Sequence, residues 1–135
     1  MRLPKYLIIR KKDGTYRFVF GHVELHFELL DDWTDECDKV MGGGFWKIDP
    51  DKKQIILHGK STDYGRPIPD AFNKAVETFT DDAVYDLEVC WAASAPRDLE
   101  QLHPDPTDDF WRLDDYIIVN EDALNSKIML KAEKS

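Results

Sequence analysis

Tyr6-Leu7-Ile8-Ile9-Arg10-Lys11-Lys12-Asp13-Gly14-Thr15-Tyr16-Arg17-Phe18-Val19-Phe20 is the stretch whose reading decides the fold. It opens with a strand-sized apolar run, Tyr6 to Ile9, rich in β-forming side chains. Lys12-Asp13-Gly14-Thr15 carries turn chemistry, and alternation resumes directly after it. Successive strand residues point to opposite faces, so Tyr16, Phe18 and Phe20 share one side and Arg17 and Val19 the other. The stretch therefore predicts a β-hairpin with its aromatic side turned toward a core.

Working outward, the apolar residues Leu25, Leu29, Leu30, Trp33, Cys37 and Val40 recur at steps of three and four. This spacing predicts an amphipathic helix from Glu24 to Val40, with Asp31, Asp32, Asp35, Glu36 and Asp38 on a solvated acidic face. Met41-Gly42-Gly43-Gly44 is expected to end that helix, since consecutive glycines remove helix propensity. Phe45 to Ile48, the Asp49-Pro50-Asp51-Lys52-Lys53 turn and Gln54 to Gly59 then predict a second hairpin. Ser61 to Pro69 reads as a loop, and Asp70 as the cap of a helix starting near Ala71, with Phe72, Val76 and Phe79 buried. Val84 to Trp91 reads as a strand, alternating Tyr85, Leu87, Val89 and Trp91 against Asp86, Glu88 and Cys90.

From Ala92 to Thr107 there are three prolines and few apolar residues, which predicts a linker over the surface. Phe110, Trp111 and Tyr116 to Val119 are too apolar for a disordered tail, so an extra strand should dock there, with a short helix starting near Asp122. The expected organisation is a domain over residues 1–93 and an acidic C-terminal extension over 94–135, packed on the same domain.

Composition bounds the function. With 42% hydrophobic, 33% charged and 12% aromatic residues in 135, the chain can bury one core. Its net charge of -9 argues against nucleic acid, which is held by clustered Lys and Arg. Residues 95–135 hold 5 basic and 10 acidic residues against 13 and 17 in residues 1–94, so a local basic pocket is compatible with the less acidic body. No apolar run approaches the roughly 20 residues of a membrane helix, so no membrane association is expected. The N-terminus lacks a secretory signal pattern, and Cys37 and Cys90 have no CxxC spacing. A cytoplasmic location with two reduced, buried thiols is expected.

Of four histidines, His26 is the best candidate for chemistry. It lies where the second strand gives way to a predicted helix, close to backbone N–H groups that can hold an anion. An imidazole there can act as nucleophile or general base near neutral pH, although a histidine at a helix start also serves structural ends. His22 and His26 have the spacing of two zinc ligands on a helix, but no third ligand accompanies them. His58 closes an apolar strand and His103 lies in the linker, neither with an evident partner. Gly42 to Gly44 could bring bare N–H groups to a phosphate but lack the Gly-Lys-Ser/Thr ending of a P-loop. The loop from Ser61 to Gly65 offers a hydroxyl and backbone donors as a second wall of an oxyanion pocket.

Taken in order, Lys5-Tyr-Leu-Ile-Ile-Arg10, Val23-Glu-Leu-His26, Met41-Gly-Gly-Gly44, Asp51-Lys-Lys53, Gly59-Lys-Ser61 with Tyr64-Gly65, and Tyr85 to Ala92 resemble the phosphohistidine phosphatase family, also called Janus/Ocnus. The resemblance covers about residues 4 to 93. It implies an α/β (α+β) fold, a mixed β-sheet of five or six strands flanked by two main helices. It also implies that His26 is the catalytic base, that Lys5 helps hold the phosphoryl group, and that Phe27, Gly43, Gly44, Ser61, Thr62 and Asp63 line the same pocket. No metal or cofactor is expected, and the substrate would be a phosphorylated protein or a small phosphoamide. Two departures stand out: Phe45 and Phe20 replace family arginines, and Asp63 replaces a small residue. These departures fit a second expectation, a protein-binding member of the same fold without catalysis, and a third expectation is a metal hydrolase built on His22 and His26.

Overall fold

β1 (Leu3–Lys11) and β2 (Tyr16–Val23) form the expected hairpin, paired antiparallel from Leu3↔Val23 to Arg10↔Tyr16. Asp13 Oδ1 accepts the Thr15 N–H at 2.9 Å, and Gly14 takes φ +90, the left-handed conformation this turn requires. The computed structural model describes residues 2–79, 81–94, 97–102, 109–121 and 128–130; His103 and the expected helix start at Asp122 lie outside them.

The described residues build a 6-stranded mixed sheet in the order β2-β1-β3-β4-β5-β6, with β3 (Cys37–Asp49), β4 (Gln54–His58), β5 (Ile117–Asn120) and β6 (Ile128–Leu130). β3 and β4 form the second expected hairpin, and β5 pairs parallel to β4. The α+β class is as expected. Tyr6, Leu7, Ile8 and Ile9 are all buried because β1 is covered on both faces. Tyr6 and Ile8 join Phe18 and Phe20 under α1 (Pro69–Glu77) and α2 (Asp81–Ser94), whereas Leu7 and Ile9 join Val19 beneath Leu29 and Trp33.

The helix expected from Glu24 to Val40 does not form. A 3-10 turn covers His26–Leu30, further turns follow, and Cys37 already belongs to β3. The apolar spacing identifies most of the inward residues, since Leu29, Leu30, Trp33, Cys37 and Val40 all pack on that face, whereas Leu25 of the same series is 46% exposed. Asp31, Asp32, Thr34 and Asp35, however, have short polar side chains that compete for backbone hydrogen bonds and weaken a helix interior. β1 offers the downstream half a sheet partner instead. Gly42 to Gly44 accordingly lie inside β3 rather than ending a helix. The register against β1 slips between Leu7↔Gly43 and Ile9↔Val40, a β-bulge with Gly42 at φ +95.

The strand expected over Val84 to Trp91 is also corrected, to helix α2. Leu87 and Trp91 are buried under either period, because a step of four fits both. The deciding residues are Ala83 and Val84, buried, and Tyr85 and Val89, 65% and 42% exposed. Asp70 sits in the first turn of α1 rather than capping it; Ile68 is the N-cap, and Pro69 opens the helix, where its missing N–H costs nothing. The linker expected after Ala92 contains a helix, α3 (Arg97–Leu102). Phe110 and Trp111 precede the docked strand in a 3-10 turn, where Trp111 packs edge-on against Trp91 at 4.7 Å. The buried Glu88 carboxylate accepts the Leu113 N–H at 2.6 Å and so fixes this segment to α2.

Cys37 and Cys90 are free, half-buried thiols, and burial pushes the Cys90 thiol up to about 11. At the β2 edge the Arg17 guanidinium lies 4.7 Å from the Trp33 ring centroid and pairs with Asp86 of α2 at 2.6 Å, linking the two layers. Helix and strand readings of residues 84–91 make opposite predictions. Val84→Asp is expected to lower the unfolding free energy by about 2 kcal/mol or more, while Tyr85→Lys moves it by about 0.5 kcal/mol at most, as read by urea denaturation. The reverse ranking would restore the strand.

Candidate functional site

Sheet register places four residues in one row across four strands: Gly21 of β2 opposite Lys5 of β1, Lys5 opposite Phe45 of β3, and Phe45 opposite His58 of β4. The row faces the side covered by the His26–Leu30 turn. Gly21 permits that cover, because a Cβ there would fall 2.4 Å from Leu29 Cδ2. Leu29 anchors the turn, and His26 at its start swings over Phe45.

His26 is 5% exposed, and its Nε2 lies 2.8 Å from Gly44 O. A carbonyl only accepts, so Nε2 carries the proton and Nδ1 keeps the lone pair of the neutral ring. The ring meets Phe45 edge-on with centroids 5.5 Å apart. Burial holds the imidazole below its ordinary pKa of 6.5; the Gly44 hydrogen bond opposes that shift, Lys5 adds to it, and Asp63 opposes it. Lys5 and Asp63, far apart in the chain, both act electrostatically on His26.

Lys5 is 8% exposed, with its ammonium 5.9 Å from the Phe45 ring centroid and hydrogen-bonded to Glu24 O. An ammonium has three donors, so two remain after that bond. Leu25 N–H donates to Glu28 Oε1 at 2.8 Å and Glu28 N–H to Leu25 O at 3.1 Å. The Phe27 N–H between them is unclaimed among the described residues.

The loop expected as a second wall is drawn to β3 by backbone bonds. Gly43 N–H donates to Gly65 O at 3.2 Å, and Ser61 N–H donates to Gly43 O at 3.0 Å. Gly43 and Ser61 therefore spend their N–H groups on architecture. The buried Ser61 Oγ accepts the Tyr64 N–H at 3.1 Å, and Thr62 and Asp63 are exposed at the loop's end. Gly44 takes part through its carbonyl, which the sequence reading did not foresee. A Cβ at Gly44 would lie 2.5 Å from His58 O, so only glycine fits where β3 and β4 approach so closely.

Some expected neighbours are absent from this group. His22 lies in extended β2, one residue beyond Gly21, so strand alternation turns it to the opposite face. Among the described residues no three His, Cys, Asp or Glu side chains cluster as a metal site would need. Phe20 stacks with Phe18 in the main core, 5.6 Å between centroids. A cleft of about 640 Å³ between Pro50, Lys53, Phe110 and Arg112 has none of the row among its lining. His58 is the neighbour that sequence reasoning left without a partner: its ring stacks on Phe45 with centroids 5.9 Å apart. The hairpin register carried that signal, since pairing Asp49 with Gln54 puts Phe45 opposite His58.

A family model described as Janus/Ocnus family (Ocnus) matches residues 4–81, more than half of the chain and all of the residues of this site. Residues 82–93, included in the resemblance read from the sequence, fall beyond the match. No curated protein and no solved structure matches the chain.

His26 is expected to titrate with a midpoint below 6.5, measurable by NMR of the imidazole, with the proton on Nε2 at neutral pH. A histidine depressed in the folded state binds protons more readily when unfolded. Stability should therefore decline as pH falls from 6.5 toward the folded midpoint and level off below it, a slope that His26→Gln lacks.

Proposed function

Since this chain belongs to the Janus/Ocnus family, we propose that it is a phosphohistidine phosphatase-like hydrolase in which His26 is the general base. The observation that carries this reading is the buried imidazole held through Nε2 by Gly44 O, which leaves Nδ1 with its lone pair, while Lys5 acts electrostatically on the ring. A neutral base next to a fixed positive charge suits removal of a proton from water aimed at a phosphoryl group. The water oxygen bonds to phosphorus, the P–N bond breaks, and inorganic phosphate leaves with the freed histidine nitrogen protonated. Lys5 Nζ and the Phe27 N–H are the donors for phosphoryl oxygens, with the exposed end of the loop, Thr62 and Asp63, forming the rim. Gly43, Gly44 and Ser61 hold these parts in place. The chemistry needs no metal or cofactor, and its setting would be cytoplasmic.

Phe45 and Asp63 bear on the substrate. A ring where the family commonly places a guanidinium leaves less charge for a phosphate dianion, and a carboxylate near His26 repels one. Weak affinity for free phosphate is the consequence, with recognition shifted to the rest of the substrate. Leu25 and Phe27, 46% and 50% exposed on either side of His26, provide apolar contact for a phosphorylated protein more than for a small phosphoamide. The same two residues favour a second reading, a non-catalytic member that binds a protein partner.

Turnover of a phosphohistidine peptide separates the readings. The purified chain is expected to release phosphate at a rate unaffected by chelator, and His26→Ala should lower that rate by about 10²-fold or more. Lys5→Met should raise KM and lower kcat together. Equal rates for wild type and His26→Ala would end the catalytic reading, and retained peptide binding without turnover would establish the second.

A further inference from the structure

Breaking a P–N bond to imidazole poses a problem that His26 alone does not solve. A base can activate the water, but the ring that departs needs a proton, because an imidazole anion is a poor leaving group. We propose that His58 is the general acid that supplies it; this rests on the phosphatase reading above.

Three observations carry the assignment. First, His58 lies in the same row as Lys5 and Phe45, on the face His26 covers, and is fixed there by the antiparallel pair Phe45↔His58. Second, its half-buried imidazole makes its ring contact with Phe45, and no described residue hydrogen-bonds its ring nitrogens. Third, both imidazoles contact the same Phe45 ring, 5.5 Å from His26 and 5.9 Å from His58 by ring centroids. The two histidines are thus separated by no more than those two distances laid end to end. In-line displacement sets base, attacking oxygen, phosphorus and leaving nitrogen in a row, and the acid reaches the departing ring at its far nitrogen. Two histidines bordering one ring can serve the water side and the leaving-group side of one substrate.

The step balances. His26 Nδ1 takes a proton from water as the oxygen bonds to phosphorus; the P–N bonding pair stays with the leaving ring, and His58 gives that ring its proton. The products are inorganic phosphate and neutral imidazole, and both histidines exchange protons with water before the next turnover.

Two probe substrates test this on the full chain: phosphoimidazole, whose leaving group needs a proton, and 1-methyl-3-phosphoimidazolium, whose leaving group departs neutral without one. Their turnover ratio is the readout, because a loss of packing at position 58 would slow both alike. His58→Phe, which retains a ring against Phe45, is expected to shift the ratio by about 10²-fold against phosphoimidazole. His58→Gln, of different shape, should shift it the same way and covers the case in which the first variant fails to fold. An unchanged ratio in the folded variants overturns the role of His58 and leaves the phosphatase reading standing. A wild-type chain inert toward both probes and toward a phosphohistidine peptide overturns both.

Discussion

Three consecutive residues without side chains hold the site together. At Gly42 a Cβ would lie 2.3 Å from Arg66 O, at Gly43 2.2 Å from Tyr6 O, and at Gly44 2.5 Å from His58 O. Backbone therefore meets backbone along this part of β3, closer than any side chain permits. That approach ties the Ser61–Gly65 loop to Gly43 and leaves the Gly44 carbonyl where the His26 imidazole reaches it. The glycine run brings together the segments that surround the proposed pocket.

The electrostatics follow from that arrangement. Burial and Lys5 favour the neutral form of His26, while Gly44 O and Asp63 favour the charged one, and burial is the largest influence. The neutral ring, with its tautomer set by a carbonyl, is the form that can accept a proton. Phe45 touches His26, His58 and Lys5 alike, so one aromatic side chain occupies the centre of the group.

Much of the fold was legible in the sequence because turn chemistry is local. Asp13-Gly14 and Asp49-Pro50 marked two hairpins, and the alternation of Phe18 with Val19 sorted their faces. The errors came where two periods share residues. Leu87 and Trp91 fit strand and helix equally, and only the burial of Val84 and the exposure of Tyr85 distinguish them. Leu29, Trp33 and Cys37 face inward as their spacing predicts, but a step of four fits a chain wrapping over a sheet as well as a helix. At the site, His26 and Lys5 were legible through family resemblance. The Gly44 carbonyl was not, because a main-chain acceptor leaves no mark on residue identity.

β2 ends the sheet, and such a border is where a second chain's strand can attach by its backbone. Arg17 complicates that attachment: its guanidinium folds between Trp33 on one face and Asp86 on the other. An incoming strand would meet an indole and an exposed charge pair at this point of the border. The contact that joins two layers thus also sets a charge at this border, the kind of residue that disfavours pairing with another strand.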